Sequence, residues 1–244
     1  MYNQKILNPR PIGQNAQLNR LIRNSGGVPI SLPALTIVEL DKNKWIHLLP
    51  ALSQIEQAIF TSTNAVNCFF TALTEYNIVW PNSIIVIAIG RTTAKALSFH
   101  GIMVHFTPKT ADSEHLLQLT TLQSIRNNKL LLIKGCGGRQ LISEILTSRA
   151  ANLTTIAVYD SIIPHYNQRL LYFLWQQDML DVLLFTSHQI MRNIFTLFGA
   201  EAISWLQSKS CIVISQRLAN AASMLGMRKI LVIHDLLEQS YGCN

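Results

Sequence analysis

The chain repeats itself, and the repeat limits the possible folds more than any single motif does. The segment from Phe60 to Gly101 begins FTSTNAV, runs through IIVIAIGRTTAKAL, and recurs without a gap about 125 positions later. Phe60-Thr61-Ser62 falls on Phe185-Thr186-Ser187, Phe70-Thr71 on Phe195-Thr196, Trp80 on Trp205 and Ser83 on Ser208. Ile87 and Ile89 fall on Ile212 and Ile214, Ala94 on Ala219, Ser98 on Ser223, and Gly101 on Gly226. About thirteen of roughly forty-two aligned positions are identical, too many for chance similarity between apolar strands. A chain of 244 residues built on two such copies is expected to form two α/β domains of about 120 residues, each large enough for its own core.

Composition narrows the partner. With 49% hydrophobic and 14% charged residues, the chain is globular material with little room for disordered tails. A net charge of +7 calls for nucleic acid or a strongly anionic small molecule. The basic residues are scattered, with no Lys/Arg run and no aromatic-basic interleaving, which favours a polyanionic metabolite over nucleic acid. Cys68, Cys136, Cys211 and Cys243 form no CxxC pair and no cluster at metal-ligand spacing, so reduced thiols and no metal site are expected. The start MYNQKILNPRP has no charged-then-apolar signal pattern, and no apolar run approaches the length of about 20 residues that spans a bilayer. A cytoplasmic protein without membrane contact is the expectation.

Taken in order, residues 5–7 form a short strand stopped by Asn8-Pro9-Arg10-Pro11. QNAQLNRLIRNSGG then places Ala16, Leu18, Leu21 and Ile22 on one helical face, and VPISLP returns as a strand. TIVEL reads as an extended connection that leaves this unit near residue 35. A polar loop and a helix around Trp45 to Leu52 lead into strand AIF, helix AVNCFFTALTEY, strand IIVIAI, helix AKALSF and strand IMVHF. DSEHLLQLTTLQSI carries an N-cap at Asp112 or Ser113 and reads as a helix, followed by strand LLLI, helix QLISEIL and strand LTTIAVYDSIIP. The chain crosses back near residue 163 and continues with helix RLLYFLWQQ, strand DVLLF, helix QIMRNIFTLF, strand CIVI, helix RLANAASML and strand KILVI, then a final helix to about Gln239. This alternation predicts parallel sheets flanked by helices on both faces. The opening strand-helix-strand has too few partners alone and should complete the C-terminal half. One domain is then discontinuous (1–35 plus 164–244) and the other is inserted (36–163). The fold class is two flavodoxin-like, doubly wound domains related by the repeat and joined by a two-stranded linker.

In open parallel sheets, ligands collect beyond the carboxyl ends of the strands. Here those ends carry NPRP, FTST, AIGRTT, KGCGGR, VYD, FTSH and ISQR, several of them at helix N-termini that favour anions. The expected site is a cleft between the domains. Thr61, Ser62, Thr186 and Ser187 read either as helix caps or as ligands, and a cap leaves neighbouring N–H groups free. KGCGGR lacks the glycine spacing and the following Lys-Ser/Thr of a phosphate-binding P-loop. The seven histidines are scattered; His188 alone follows an FTS turn, and no Ser/His/Asp constellation is present. Tyr159 reads from pattern alone as an ordinary aromatic at a strand end. Arg10, Arg91 and Arg139, at strand ends, suit two-pronged carboxylate binding.

The residues also carry a family resemblance. NPRPIGQNAQLNRLIRNSGGVPISLPALTI resembles the N-terminal signature of the uroporphyrinogen-III synthases. The likeness continues through FTSTNAV, AIGRTTAKAL with Gly101, LLLIKGCGGR, VYD with Pro164 downstream, and LFTSHQIMRNI. It implies a two-domain enzyme of tetrapyrrole biosynthesis that needs neither metal nor cofactor. That enzyme cyclises hydroxymethylbilane, a linear tetrapyrrole with eight carboxylates, with loss of water and inversion of ring D. A monomer is expected, with transient contact with hydroxymethylbilane synthase. Carried over by position, Tyr159 is the candidate proton donor, and Thr93, Ser62 and Ser187 are candidate carboxylate ligands. Thr61, Asn64, Arg10, Arg91, Lys134, Gly135, Arg139 and Arg217 complete the expected substrate-binding set. One departure stands out: the family's Gly-x-x-Thr-Ala turn is present at Gly90 to Ala94 but becomes Ser215-Gln216-Arg217-Leu218-Ala219 in the second copy. Hence the alternative, a non-catalytic two-domain protein that binds a polyanionic tetrapyrrole. A pair of response-regulator-like domains is disfavoured, because no acidic cluster for phosphotransfer is present.

Overall fold

Strands buried on both faces set the architecture. A computed structural model describes residues 3–137 and 140–233. Along the first half run β1 (Lys5–Asn8), α1 (Asn15–Asn24), β2 (Val28–Ser31), β3 (Thr36–Glu39), α2 (Lys42–Ile46), β4 (Gln57–Phe60), α3 (Thr63–Glu75), β5 (Ile85–Ala88), α4 (Arg91–Phe99) and α5 (Ser113–Leu117). There follow β6 (Lys129–Gly135), α6 (Leu141–Ser148), β7 (Asn152–Ile162), α7 (Gln168–Gln176), β8 (Val182–Phe185), α8 (His188–Phe198), α9 (Ile203–Ser208), β9 (Ser210–Val213), α10 (Gln216–Met224) and β10 (Lys229–Val232). The expected final helix to Gln239 lies outside the described residues, as do His234 and Cys243.

The chain divides into two compact units, Met1–Thr36 with Ile162–Asn244, and Ile37–Ser161. The first unit holds a sheet ordered β2-β1-β8-β9-β10, and the second a sheet ordered β5-β4-β6-β7-β3. Parallel pairing runs from β2 through β1, β8 and β9 to β10, and from β5 through β4 and β6 to β7. The sequence repeat is a structural repeat: β4, β5 and α4 map onto β8, β9 and α10 with a shift of 125 positions. Two further strands of each sheet also match. β1-α1-β2 flanks β8 in the first unit as β6-α6-β7 flanks β4 in the second, but it precedes the repeated module in one and follows it in the other. Four strands of each sheet are thus circular permutations of one arrangement, with β3 and β10 outside the match.

β4 and β8 are buried at all four positions, the signature of central parallel strands covered by helices on both faces. In the second unit one face carries an aromatic cluster. Phe60 lies 5.7 Å from Phe69 and 5.6 Å from Phe70 between ring centroids, and Phe70 lies 5.4 Å from Trp80. Edge-on and offset contacts of this kind add to the area burial of the rings. The other face is aliphatic, built from Ile59, Ile87, Leu130 and Leu132 against Leu116, Leu122, Ile142 and Leu146. Burial raises the thiol pKa of Cys68 to about 11 and of Cys211 to about 12, and both thiols are free.

Three local expectations need correction. The helix expected over Trp45 to Leu52 starts earlier and ends at Ile46, because Asp41 caps it by accepting from the Asn43 N–H and Pro50 cannot prolong it. The helix expected through residue 125 stops at Leu117: the Gln123 amide donates to the carbonyls of Leu117 and Leu119, and the Arg149 guanidinium to those of Leu117 and Leu122, so side chains hold the groups that helix propagation would use. IMVHF forms a single bridge, Ile87 to Phe106, instead of a strand, because the His105 imidazole accepts the Val86 N–H.

In the first unit, Asp178 accepts from the Lys209 ammonium and from Trp205 Nε1 at 2.6 Å. The Lys209 hydrogen bond, then that of Trp205, hold the Asp178 carboxyl below its ordinary value of 3.8. A lowered folded-state pKa stabilises the fold above the unfolded value, and that stability is lost as pH falls through the folded one. Asp178 has φ +48°, a conformation asparagine tolerates. Asp178→Asn should therefore lower the urea midpoint at about pH 7, and its deficit against wild type should shrink as pH drops towards roughly 3, read from paired urea titrations.

Candidate functional site

The polar groups of the second unit gather where β4, β6 and β7 end. Phe60, fully buried, anchors the end of β4, and the next two residues turn polar. Thr61 donates both its N–H and its hydroxyl to the Ile133 carbonyl, each at 3.2 Å, tying the end of β4 to that of β6. That hydroxyl is committed to the backbone. Ser62, in extended conformation (φ −167°), caps α3 by accepting the Ala65 N–H at 3.1 Å. Asn64 is half-buried in the first turn of α3.

Tyr159 reaches the same place from β7. Its hydroxyl lies 3.0 Å from Ser62 Oγ, and its carbonyl accepts the Cys136 N–H at 2.7 Å. The ring lies on Gly135, where an added Cβ would sit 2.5 Å from Tyr159 Cζ and 2.9 Å from its hydroxyl oxygen. Period-2 alternation alone would turn this ring away. Ile156 and Val158 face the aromatic cluster, so Tyr159 should face the opposite side of the sheet. The β6–β7 register shifts between Lys134 and Gly135: Lys134 pairs with Ala157 and Gly135 with Tyr159. This bulge returns Tyr159 to the α3 side, where it packs against the same cluster as Val158. Lys134, just before Gly135, is half-buried.

The two Gly-x-x-Thr-type turns differ in how they start their helices. Gly90 (φ −170°) precedes α4 without a side-chain cap, and Ala111 lies against it, 2.6 Å from where a Cβ would be. Arg91 and Thr92 are exposed, whereas Thr93 is 2% exposed and points inward. In the second copy Ser215 accepts the Leu218 N–H and caps α10, and Leu218 occupies the inward position at 4% exposure. The altered turn is thus a helix start of another kind, with Arg217 exposed beside it. Sequence reasoning missed Ser215 as a cap, although its alignment with Gly90 was the available signal.

In the first unit, Ser187 caps α8 by accepting the Ile190 N–H at 3.2 Å, as Ser62 does for α3. His188 opens that helix and is exposed. Arg10 follows a buried network also missed in the sequence. Asn8, fully buried, donates to Asn19 Oδ1 at 2.7 Å and to the Asn15 carbonyl, and its own Oδ1 accepts the Arg10 N–H. Arg10 donates to Gln14 at 3.4 Å. Leu7 pairs with Leu183 and Leu131 with Ala58, so Arg10 and Lys134 stand three residues beyond equivalent strand positions. Arg139 lies outside the described residues. Among the described residues, no three His, Cys, Asp or Glu side chains group as a metal site, and no helix is long and apolar enough to cross a membrane.

Comparison with known proteins places the chain. The profile of the family described as "Uroporphyrinogen-III synthase HemD" matches residues 16–235. The uroporphyrinogen-III synthase of Escherichia coli is 30% identical over 233 residues, covering 93% of this chain and 94% of that protein. The Salmonella typhimurium synthase is 31% identical over 230 residues, covering 93% of each. Among solved structures, a mutant uroporphyrinogen III synthase from the extremely thermophilic bacterium Thermus thermophilus aligns with a TM-score of 0.70 over 98% of this chain and 97% of its own, at 16% identity. The synthase from Helicobacter pylori aligns with a TM-score of 0.61 over 98% of each chain, also at 16% identity. At these identities the structural likeness concerns the fold.

The Ser215 cap gives a direct prediction. Ser215→Ala should destabilise the protein by about 1 kcal/mol, and Ser215→Gly, which restores the residue of the first copy, by only a few tenths, measured as shifts in the urea midpoint.

Proposed function

The chain belongs to the uroporphyrinogen-III synthase family, and from that premise we propose that it converts hydroxymethylbilane to uroporphyrinogen III. The observation that carries the reading to this chain's own residues is the Tyr159 hydroxyl, held 3.0 Å from Ser62 at the N-terminus of α3. Tyr159 gives its phenolic proton to the substrate's departing hydroxyl. The C–O bond breaks, its electron pair leaves with the oxygen as water, and the bilane is left as an azafulvene cation. Ring D attacks that cation through its substituted carbon, and the spiro intermediate fragments and recloses with the ring inverted. The proton released as the macrocycle regains its pyrrole rings restores the tyrosine, so protons balance over the cycle. In water the same bilane closes without inversion, so the protein's contribution is chiefly to hold the chain in the inverting geometry.

Substrate carboxylates are read as bound at the carboxyl-end rims of both sheets. The open N-terminus of α4 with Arg91, the first turns of α3 and α8 after Ser62 and Ser187, and the cations Arg10, Lys134 and Arg217 supply complementary groups. Thr93, turned inward, is read as supporting the α4 turn, and Thr61 as fixing the end of β4. The two units are read as flavodoxin-like domains, 1–35 plus 164–244 and 36–163, linked through β3 and β7. In support, the first sheet follows the 2-1-3-4-5 order when its strands are counted along that unit. The chain is read as a monomer that takes its substrate in transient contact with hydroxymethylbilane synthase.

The test supplies freshly generated hydroxymethylbilane to the purified protein, oxidises the products and separates the porphyrin isomers by chromatography. Predominantly type III product is expected; type I alone, at the spontaneous rate, would leave a tetrapyrrole-binding protein with an altered second turn. Tyr159→Phe should lower kcat by on the order of 100-fold while costing about 1 kcal/mol of stability from the lost hydrogen bond. Wild-type turnover in that variant would remove Tyr159 from the mechanism.

A further inference from the structure

The second unit contains a device around Tyr159 whose parts have separable consequences. Ser62 Oγ accepts the Ala65 N–H and keeps its own hydrogen to give, and Tyr159 Oη is 3.0 Å away, a distance at which either hydroxyl can donate. The ring reaches that position only because β7 carries the bulge opposite Lys134 and Gly135, and because residue 135 has no side chain. Any Cβ there would overlap the ring edge that leads to the hydroxyl, at 2.5, 2.7 and 2.9 Å from three of its atoms. Gly135 does not have the left-handed φ that would make glycine necessary for backbone reasons. The close approach of the phenol is what requires it.

We propose that Ser62 and Gly135 are positioning residues for Tyr159: Ser62 donates its hydroxyl hydrogen to Tyr159 Oη, and Gly135 leaves the room that puts the phenol there. The proposal rests on the proton-donor reading of Tyr159. With Ser62 donating, the phenolic hydrogen stays free for the substrate oxygen. When that proton leaves with the departing water, the phenolate keeps the Ser62 hydrogen bond beside the N-terminal end of α3. The Ala65 N–H on the other side of Ser62 Oγ polarises the hydroxyl, and the helix end favours the negative charge. The stabilisation exists only while the proton is transferred, so it should act on turnover and leave ground-state binding almost unchanged. Gly135 then has a different role from the carboxylate contact expected of it from sequence.

The full-length protein tests this by kcat and KM for type III formation in single and double variants, with thermal unfolding of each. Ser62→Ala should lower kcat about tenfold with KM within about twofold, and Ser62→Thr should retain most of the activity. Gly135→Ala should lower kcat at least tenfold, because the ring must move. In a Tyr159→Phe background, Ser62→Ala and Gly135→Ala should each leave kcat within about twofold of Tyr159→Phe alone, since no hydroxyl remains to be placed. If either substitution instead lowers kcat by the same factor in both backgrounds, its role is structural and the proposal is overturned. A rise in KM with unchanged kcat for Ser62→Ala would make Ser62 a substrate contact and overturn it as well. Should Gly135→Ala fail to fold, the Ser62 series decides alone. Wild-type turnover in Tyr159→Phe defeats the donor reading itself, whereas a slow Tyr159→Phe with multiplicative Ser62→Ala defeats only the coupling.

Discussion

A parallel strand covered on both faces can present polar chemistry only where it ends. β4 is buried at every position, its one polar residue, Gln57, bonded inside to the Thr121 carbonyl, and β8 is buried and apolar throughout. Thr61 and Thr186 are therefore where the chain turns polar and partly exposed as each strand ends. At the same points the chain must start a helix, whose first N–H groups have no partner within the helix. Ser62 and Ser187 meet both needs, each accepting one N–H of the helix it opens. The capping role is therefore set by the fold at these residues, and the anion-binding role proposed for the same turns would fall beside it, which is why capping and ligation could not be separated at the FTS turns from sequence.

The permuted relation between the sheets gives the two units equivalent frames without equivalent contents. Both have an FTS cap, and Arg10 and Lys134 stand at matching positions beyond matching strands. The tyrosine belongs to one unit only. It is supplied by β7, whose register changes once, opposite Gly135, and brings its side chain to the face where α3 begins. A bulge adds one residue to one strand, the smallest change that reverses which way a side chain points.

The two repeated turns before α4 and α10 reach the same fold by different routes. Gly90 leaves the α4 start without a side-chain cap and accommodates Ala111, whereas Ser215 closes the α10 start itself. In both, the third residue of the helix is buried, as Thr93 or Leu218, so the exchange between them is a packing change beneath the surface. At the surface the turns differ in the capping hydroxyl of Ser215 and in the places of the exposed Arg91 and Arg217.

The sequence by itself determined the repeat, its alignment and the strand-helix alternation, because burial on both faces writes apolar runs that can be read without coordinates. It also marked the polar turns, since they coincide with the strand ends of this fold. Tertiary structure decided what local pattern cannot encode. IMVHF is apolar enough for a strand, yet the His105 imidazole takes the Val86 N–H. The helix from residue 113 is cut short by Gln123 and by Arg149, which is distant in sequence. Tyr159 faces Ser62 because of a register shift against another strand, and Gly135 matters because of a ring that approaches it from β7. Each of these depends on a partner brought close by the fold, and the sequence names the partners without saying that they meet.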